Sequence, residues 1–258
     1  MTRKRKIEEQ IEEESPPEGC HHYQSRQEVP WDIQKYFDQR YSVFSRYDEG
    51  IWMTDDSWFG VTPEPIADKI AEHLAQVAPT TKTILIDVFG GAGGNSIAFA
   101  RSGRWKEVHV IERDAITLAC ARHNAKVYGV DDVITWYHGD CFEILKDHFT
   151  KAAETAVVFA SPPWGGPGYR TDQVFDLSLM QPYNLMDLLL PLQTVTKEVV
   201  LYLPRTSDLR QFVRFERKGK KLPVIHYCME GASKALCVYF GDLCVNTLEE
   251  DAVNAPTR

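Results

Sequence analysis

Residues 83–101 constrain the fold of this chain more than any other stretch. Thr83-Ile84-Leu85-Ile86-Asp87-Val88-Phe89 is an apolar, β-branched run of strand length. Gly90-Gly91-Ala92-Gly93-Gly94-Asn95 follows as a glycine-rich turn, and Ser96 to Arg101 opens a helical pattern. A strand that passes through such a turn into a helix is the first half of a parallel βαβ unit. The alternation continues downstream. Glu107 to Ile111 is a second strand ending in Glu112, and a helix from about Asp114 to Tyr128 stops at Gly129. Ile134 to Tyr137 is a third strand ending near Gly139-Asp140-Cys141-Phe142, a short helix runs to about Phe149, and Ala156 to Ala160 is a fourth strand. Met186 to Leu192 and Asp208 to Phe215 read as helices, with a strand from Glu198 to Leu203 between them. Strands at Pro223–Met229 and Ala235–Phe240 are joined only by Glu230 to Lys234, a connection too short for anything but an antiparallel pair. The expectation is an α/β fold with a mostly parallel seven-stranded sheet and one antiparallel strand.

Upstream, Thr62-Pro63-Glu64-Pro65 has the marks of a helix start, with Thr62 as cap and Pro63 in the first helical position. Ile66, Ala67, Ile70, Ala71, Leu74 and Val77 then form one apolar face. In residues 31–62, aromatics at 36, 37, 41, 44 and 47 recur at helical spacing with Lys35, Arg40 and Arg46 between them. That pattern predicts a small helical extension that packs its aromatic stripe on the main domain. Basic and aromatic interleaving also suits a lid over a base and its phosphates, with Phe44 among the contacts. Residues 1–30 read as a disordered charged tail, 63–245 as the main domain and 246–258 as a second tail. Arg3 to Lys6 form a basic cluster of the nuclear-signal type.

Composition narrows the function classes. The chain has 258 residues, of which 43% are hydrophobic, enough for one full core. No apolar run reaches the roughly 18–20 residues of a membrane span, and the charged N-terminus has no apolar stretch behind it. The six cysteines form no C-x-x-C pair, which points to a reduced nuclear or cytoplasmic protein without a metal site. Cys20-His21-His22 has no second ligand cluster and reads as polar tail. A net charge of −8 excludes a global grip on a long nucleic-acid tract, so any such substrate is held locally, through a base and a few phosphates. A monomer is expected.

The glycine turn signals a ligand, and the acids around it select which. A dinucleotide site has G-x-G-x-x-G/A; here Gly91-x-Gly93-Gly94-Asn95-Ser96 puts Ser96 in the third position, and Asp87 stands beside the turn. A carboxylate there repels a pyrophosphate and attracts a cation. S-adenosylmethionine carries an ammonium and a sulfonium, and it fits. Glu112, 18 residues after Gly94, is placed to hold two ribose hydroxyls, and Asp140 to accept from the adenine amino group. Any one of these acids is more often a cap or a solvated turn. Three at the carboxyl ends of consecutive strands line the crevice where such sheets bind ligands. Gly91, Gly93 and Asn95 complete the cofactor turn.

The fourth strand runs into Ser161-Pro162-Pro163-Trp164-Gly165-Gly166-Pro167. Two prolines fix φ and remove two amide donors, leaving acceptors beside a flat indole and free space. Ser161 Oγ and the Pro162 carbonyl suit the two hydrogens of an exocyclic amine, and Trp164 suits the face of its base. A proline-rich turn with a packed Trp is the bland alternative.

These two motifs, Asp87-Val-Phe-Gly-Gly-Ala-Gly-Gly-Asn95 and Ser161-Pro-Pro-Trp-Gly-Gly-Pro167, resemble the trimethylguanosine synthase family of RNA cap guanosine-N2 methyltransferases. The likeness extends to Lys35–Ile51, Trp58–Glu64, His123–Gly129, Leu203-Pro-Arg205 and Tyr239–Asp242, and so covers roughly residues 31–243. It implies a class I (Rossmann-like) methyltransferase that uses S-adenosylmethionine on the N2 amino group of 7-methylguanosine in a capped RNA. That RNA would be of small nuclear or nucleolar type or another capped class, and the product 2,7-dimethylguanosine or 2,2,7-trimethylguanosine. By the same resemblance Ser161, Pro162 and Trp164 hold the 7-methylguanine, and Lys35 and Arg205 contact the cap phosphates. Phe59, Thr62, Asp87, Glu112, Asp140, Cys141 and Phe142 surround the cofactor. The family usually has Ser where Gly60 stands, an acid at Gly168 and Asp at Glu112. The competing readings are an N6-adenine or N4-cytosine methyltransferase and a cap-binding module without turnover.

Overall fold

The computed structural model describes residues 15–165, 173–216, 221–229 and 231–243. The basic cluster at Arg3 to Lys6, the loop residues Gly166, Pro167 and Gly168, and the second tail lie outside the described residues.

Seven strands form one sheet: β1 Ile84–Asp87, β2 Glu107–Glu112, β3 Ile134–His138, β4 Ala156–Ala160, β5 Val199–Pro204, β6 Val224–Met229 and β7 Ala232–Tyr239. Their spatial order is β3-β2-β1-β4-β5-β7-β6. The first five pair in parallel, and β7 runs antiparallel to both β5 and β6. The architecture expected from the alternation of strand and helix patterns is the one observed. Crossovers on both sides bury the central strands completely. All five residues of β4 are buried, and they alternate between two cores. Val157 and Phe159 face one core, and Ala156, Val158 and Ala160 the other.

Eight helices are used below: α1 Gln34–Phe37, α2 Arg40–Val43, α3 Ser57–Gly60, α4 Glu64–Val77, α5 Gly94–Arg101, α6 Ala115–Tyr128, α7 Cys141–His148 and α8 Leu185–Val195. Helices α4, α5 and α6 cover one face of the sheet, and α7 and α8 the other. On the first face Phe99 of α5 meets Phe159 edge-on, with ring centres 4.9 Å apart. Such a fully buried aromatic typically contributes about 3–5 kcal/mol relative to Ala.

Three expectations change. The aromatic segment is not one helix. It is α1 and α2, parted at Gln39, where φ is −103° and ψ 13°. A straight helix would place residues 37, 41 and 44 on one stripe, yet Phe37 and Phe44 are each 2% exposed while Tyr41 is 47% exposed. The break lets Phe37 and Tyr47 wrap around Trp58, each with ring centres 6.0 Å from it. Second, Thr62 is not the cap of α4. Pro63 occupies that position without a side-chain bond, and Thr62 Oγ1 instead accepts from Asn95 Nδ2 at 3.0 Å.

Third, of residues 15–30, expected as disordered tail, those from Gly19 onward pack on the body. His21 pairs with Met53 through backbone hydrogen bonds of 2.8 and 2.9 Å. Cys20 is buried against Trp52 and Cys120, and His22 Nδ1 lies 2.9 Å from the Ile51 carbonyl. The apolar contacts of Cys20 and Val29 supply the burial that a charged stretch lacks by composition.

Candidate active site

The site lies at the carboxyl edge of β1, β2, β3 and β4, where crossovers diverge. Register pairs Asp87 with Val110 on one side and Phe159 on the other, so the last residue of β1 stands in the middle of the sheet. Asp87 is fully buried. Its Oδ2 accepts from Ser96 Oγ at 2.6 Å and its Oδ1 from the Phe89 amide at 3.3 Å. Burial pushes the carboxyl up to about 6, against the pull of those two bonds.

The glycine turn is shaped by close approach. A Cβ on Gly90 would stand 2.5 Å from Val110 Cγ1, so only glycine lets the turn pass over β2. Gly91 (φ 53°) and Gly93 (φ 94°) adopt left-handed backbone. Nothing lies within 4 Å of where a Gly91 Cβ would be, so the turn opens outward there. Glu112, at the end of β2, braces it: Oε2 accepts from the Gly91 amide and Oε1 from the Asp114 amide, both at 2.8 Å. Asn95, in the first turn of α5, binds Thr62 through Nδ2. Its buried Oδ1 has no hydrogen-bond partner among the described residues. An orphaned acceptor, a buried carboxylate and an open glycine cradle are a donor set for a cationic ligand, and they fit S-adenosylmethionine.

Asp140 ends the β3 loop and caps α7. Its Oδ1 accepts from the Phe142 amide at 2.9 Å and the Glu143 amide at 3.3 Å. Its Oδ2 accepts from the Tyr183 hydroxyl at 3.2 Å. Cys141 is buried, and burial pushes its thiol up to about 12, so it is a packing residue rather than a nucleophile. Phe142 is half-buried with its ring 5.0 Å from that of Tyr183.

The acceptor loop leaves β4 next to β1. Ser161 is half-buried, Pro162 buried and Pro163 exposed. Trp164 is half-buried. Its indole N–H donates to the Tyr202 carbonyl of β5 at 3.4 Å, and the two rings lie 5.6 Å apart. The indole is thus fixed against the sheet while part of its surface stays open.

The expected substrate contacts divide. Arg205 follows the carboxyl end of β5 and is exposed. Lys35 is exposed, with Nζ 4.9 Å over the Tyr36 ring, and Phe59 meets that ring edge-on, with centres 5.4 Å apart. Phe44 does not belong with them. It is core, packed on Tyr128 beside α5, because the turn after α2 points it inward.

Two contributors escape a motif-based reading. Asn124 on α6 is fully buried, donates to the carbonyls of Trp52 and Ala92 at 2.9 and 3.0 Å, and accepts from the Trp52 amide at 2.8 Å. It ties the glycine turn to the segment before α3. An amide on the apolar face of a helix is the only trace this leaves in sequence. Tyr183 has no trace, because its partner Asp140 lies 43 residues away.

Comparisons agree with the geometry. A structure from Porphyromonas gingivalis W83, assigned to the methyltransferases, aligns over 93% of this chain and 58% of its own, with a TM-score of 0.60 and 16% identity. The human methyltransferase 10 domain containing protein aligns over 70% of this chain and 83% of its own, with a TM-score of 0.50 and 14% identity. These show the fold, the mostly parallel α/β sheet that this chain shares with both. The trimethylguanosine synthase of Schizosaccharomyces pombe is 36% identical over 213 residues, 82% of this chain and 87% of that protein. The trimethylguanosine synthase of Saccharomyces cerevisiae is 34% identical over 218 residues, 82% of this chain and 68% of that protein. The family model for RNA cap guanine-N2 methyltransferases matches residues 82–243, from the foot of β1 to the end of the sheet, and with the two yeast relatives it shows that this chain belongs to the RNA cap guanine-N2 methyltransferase family.

Proposed function

We propose that this methyltransferase takes 7-methylguanosine at the 5′ end of a capped RNA, with the guanine on Trp164 and its N2 amine between Ser161 Oγ and the Pro162 carbonyl. The observation that carries this is the acceptor loop's origin. It leaves β4 beside the end of β1, and the Trp164 indole N–H is anchored on β5. A base lying on that indole is held at the same sheet edge as Asp87 and the glycine turn.

The cofactor supplies a methyl group on a positively charged sulfur, an electrophile ready for an amine. Asp87, the Asn95 Oδ1 and the backbone of Gly91 and Gly93 would hold its amino-acid end, Glu112 the ribose hydroxyls, and Asp140 with Phe142 the adenine. Phe59 and Thr62 close the near side and Cys141 packs beneath. The chain's own part is orientation. Ser161 and Pro162 accept the amine hydrogens and hold the nitrogen still, and alignment of two bound reactants supplies most of the rate. The amine becomes cationic on transfer and sheds a proton to water, so no strong base is required. A guanine methylated at N7 is itself a cation, and its stacking on Trp164 gains about 0.5–2 kcal/mol. That preference, roughly 2- to 30-fold, is the physical ground for N7 methylation coming first. Lys35 and Arg205 take the cap phosphates.

The test is mass analysis after long incubation with S-adenosylmethionine and either 7-methylguanosine diphosphate or guanosine diphosphate. The expected product is 2,7-dimethylguanosine or 2,2,7-trimethylguanosine from the first, with guanosine diphosphate a poor acceptor. Equal turnover of the two acceptors would remove the charge argument. No product from either, with methylation of adenine or cytosine when RNA is supplied in their place, would favour the competing amine substrate. We further assign the protein to the nucleus as a monomer, on the basic cluster at Arg3 to Lys6 and on the substrate class. Fluorescence localisation with and without that cluster, and sedimentation, check both.

A further inference from the structure

The crossover from β4 to β5 does more than carry the acceptor loop. Just before α8 it presents Tyr183, whose hydroxyl donates to Asp140 Oδ2 at 3.2 Å. Asp140 Oδ1 is already fixed by the amides of Phe142 and Glu143. A carboxylate has about four acceptor sites. Three are used here, and the fourth, on Oδ2, is the one left for a ligand. Held at both oxygens, the group cannot rotate, so its last lone pair has a fixed direction. The Tyr183 ring is 5.0 Å from Phe142 at 75° and 6.3 Å from Phe89 at 47°. Phe89 leads into the glycine turn and Phe142 lies in the first turn of α7, so the Tyr183 ring packs on a residue from each.

We propose that Tyr183 is a positioning residue for the cofactor's adenine, acting through Asp140. It aims a locked acceptor at the base's amino group, and it couples the acceptor-loop crossover to the cofactor site. The inference rests on Asp140 as the adenine acceptor. A fixed carboxylate with no proton to give selects an amino group and rejects a carbonyl oxygen at the same position.

Calorimetry with S-adenosylhomocysteine and S-inosylhomocysteine, which differ in the 6-amino group against a 6-oxo group with its N1 proton, tests it on the full chain. Wild type should prefer the adenine ligand. Tyr183→Phe keeps the ring packing and loses the donor. It should bind S-adenosylhomocysteine about tenfold more weakly with little change for the inosine ligand, so the preference narrows, while the thermal midpoint without ligand stays put. An unchanged affinity, or an equal loss for both ligands, would overturn the proposal and leave Tyr183 a packing residue. The two failures separate cleanly. Where Asp140→Asn removes the adenine preference and Tyr183→Phe does not, only the inference falls. Where wild type and Asp140→Asn treat the two ligands alike, the assignment of Asp140 falls and takes the inference with it.

Discussion

At the scale of single residues, Asp87 and Trp164 each oppose a cost with a ligand. Burying Asp87 raises its folded carboxyl to about 6, above the usual 3.9 or so of an unfolded Asp. A raised acid contributes stability below its unfolded value and loses that contribution as pH rises through the folded one. The free protein therefore strains against an ionised Asp87 at neutral pH, and a bound ammonium relieves it. Affinity for S-adenosylhomocysteine should fall as pH drops below about 6, approaching tenfold per unit, and Asp87→Ala should bind weakly at every pH. A flat wild-type profile by calorimetry would move the cationic end of the cofactor elsewhere. Trp164→Ala should lower turnover by more than a hundredfold, the scale expected when an oriented bound reactant is lost. Its fold should be intact by circular dichroism, because the indole is only half-buried at the end of the sheet and its bond to the Tyr202 carbonyl is long at 3.4 Å. Turnover near the wild-type rate in that variant would remove the stacking role.

At the scale of elements, the β1–α5 turn depends on absent atoms. Gly90→Ala forces a Cβ to 2.5 Å from Val110 Cγ1, in a strand that is fully buried at that point. Overpacking of this kind costs about 1–3 kcal/mol, and cofactor affinity should fall with it as the turn lifts. Val110→Ala makes room, so the double variant should be less destabilised than the sum of the singles when both are followed by thermal melting. Strict additivity would mean that the turn relaxes without touching β2. Legibility followed locality at this scale. The strand, turn and helix of residues 84–101 could be read because each sits in its own pattern. The break at Gln39 could not, since it serves contacts of Phe37 and Tyr47 with Trp58, well downstream.

At the scale of the molecule, the end of the sheet away from the site is closed by a buried ion pair. Lys82 Nζ and Glu198 Oε2 are 2.6 Å apart, and the pair is completed by Thr196 and the Ala153 carbonyl. Burial alone would raise the Glu198 carboxyl, but Lys82 and Thr196 outweigh it and hold it below the usual range. A lowered acid contributes stability above its unfolded value and loses it as pH falls through the folded one. Glu198→Ala should therefore cost about 3–5 kcal/mol by stranding Lys82, and the loss should shrink in acid. Denaturant melts at neutral and acid pH check this. Equal losses at both would make the pair a bystander.

The sequence by itself determined the sheet, its single antiparallel strand, the three acids at successive strand ends and the acceptor motif after β4. Each is written within a few residues by hydrophobic period, glycine and proline. Only the tertiary structure decided which polar groups already had partners. Thr62 turned out to hold Asn95 rather than cap a helix, and Phe44 to be core rather than contact. Residues from Gly19 joined the body through Cys20, His21 and His22. Tyr183 and Asn124 gained their roles from groups far away in sequence. Hydrogen bonds and burial between such distant residues exist only once the chain has closed, and local pattern carries no record of them.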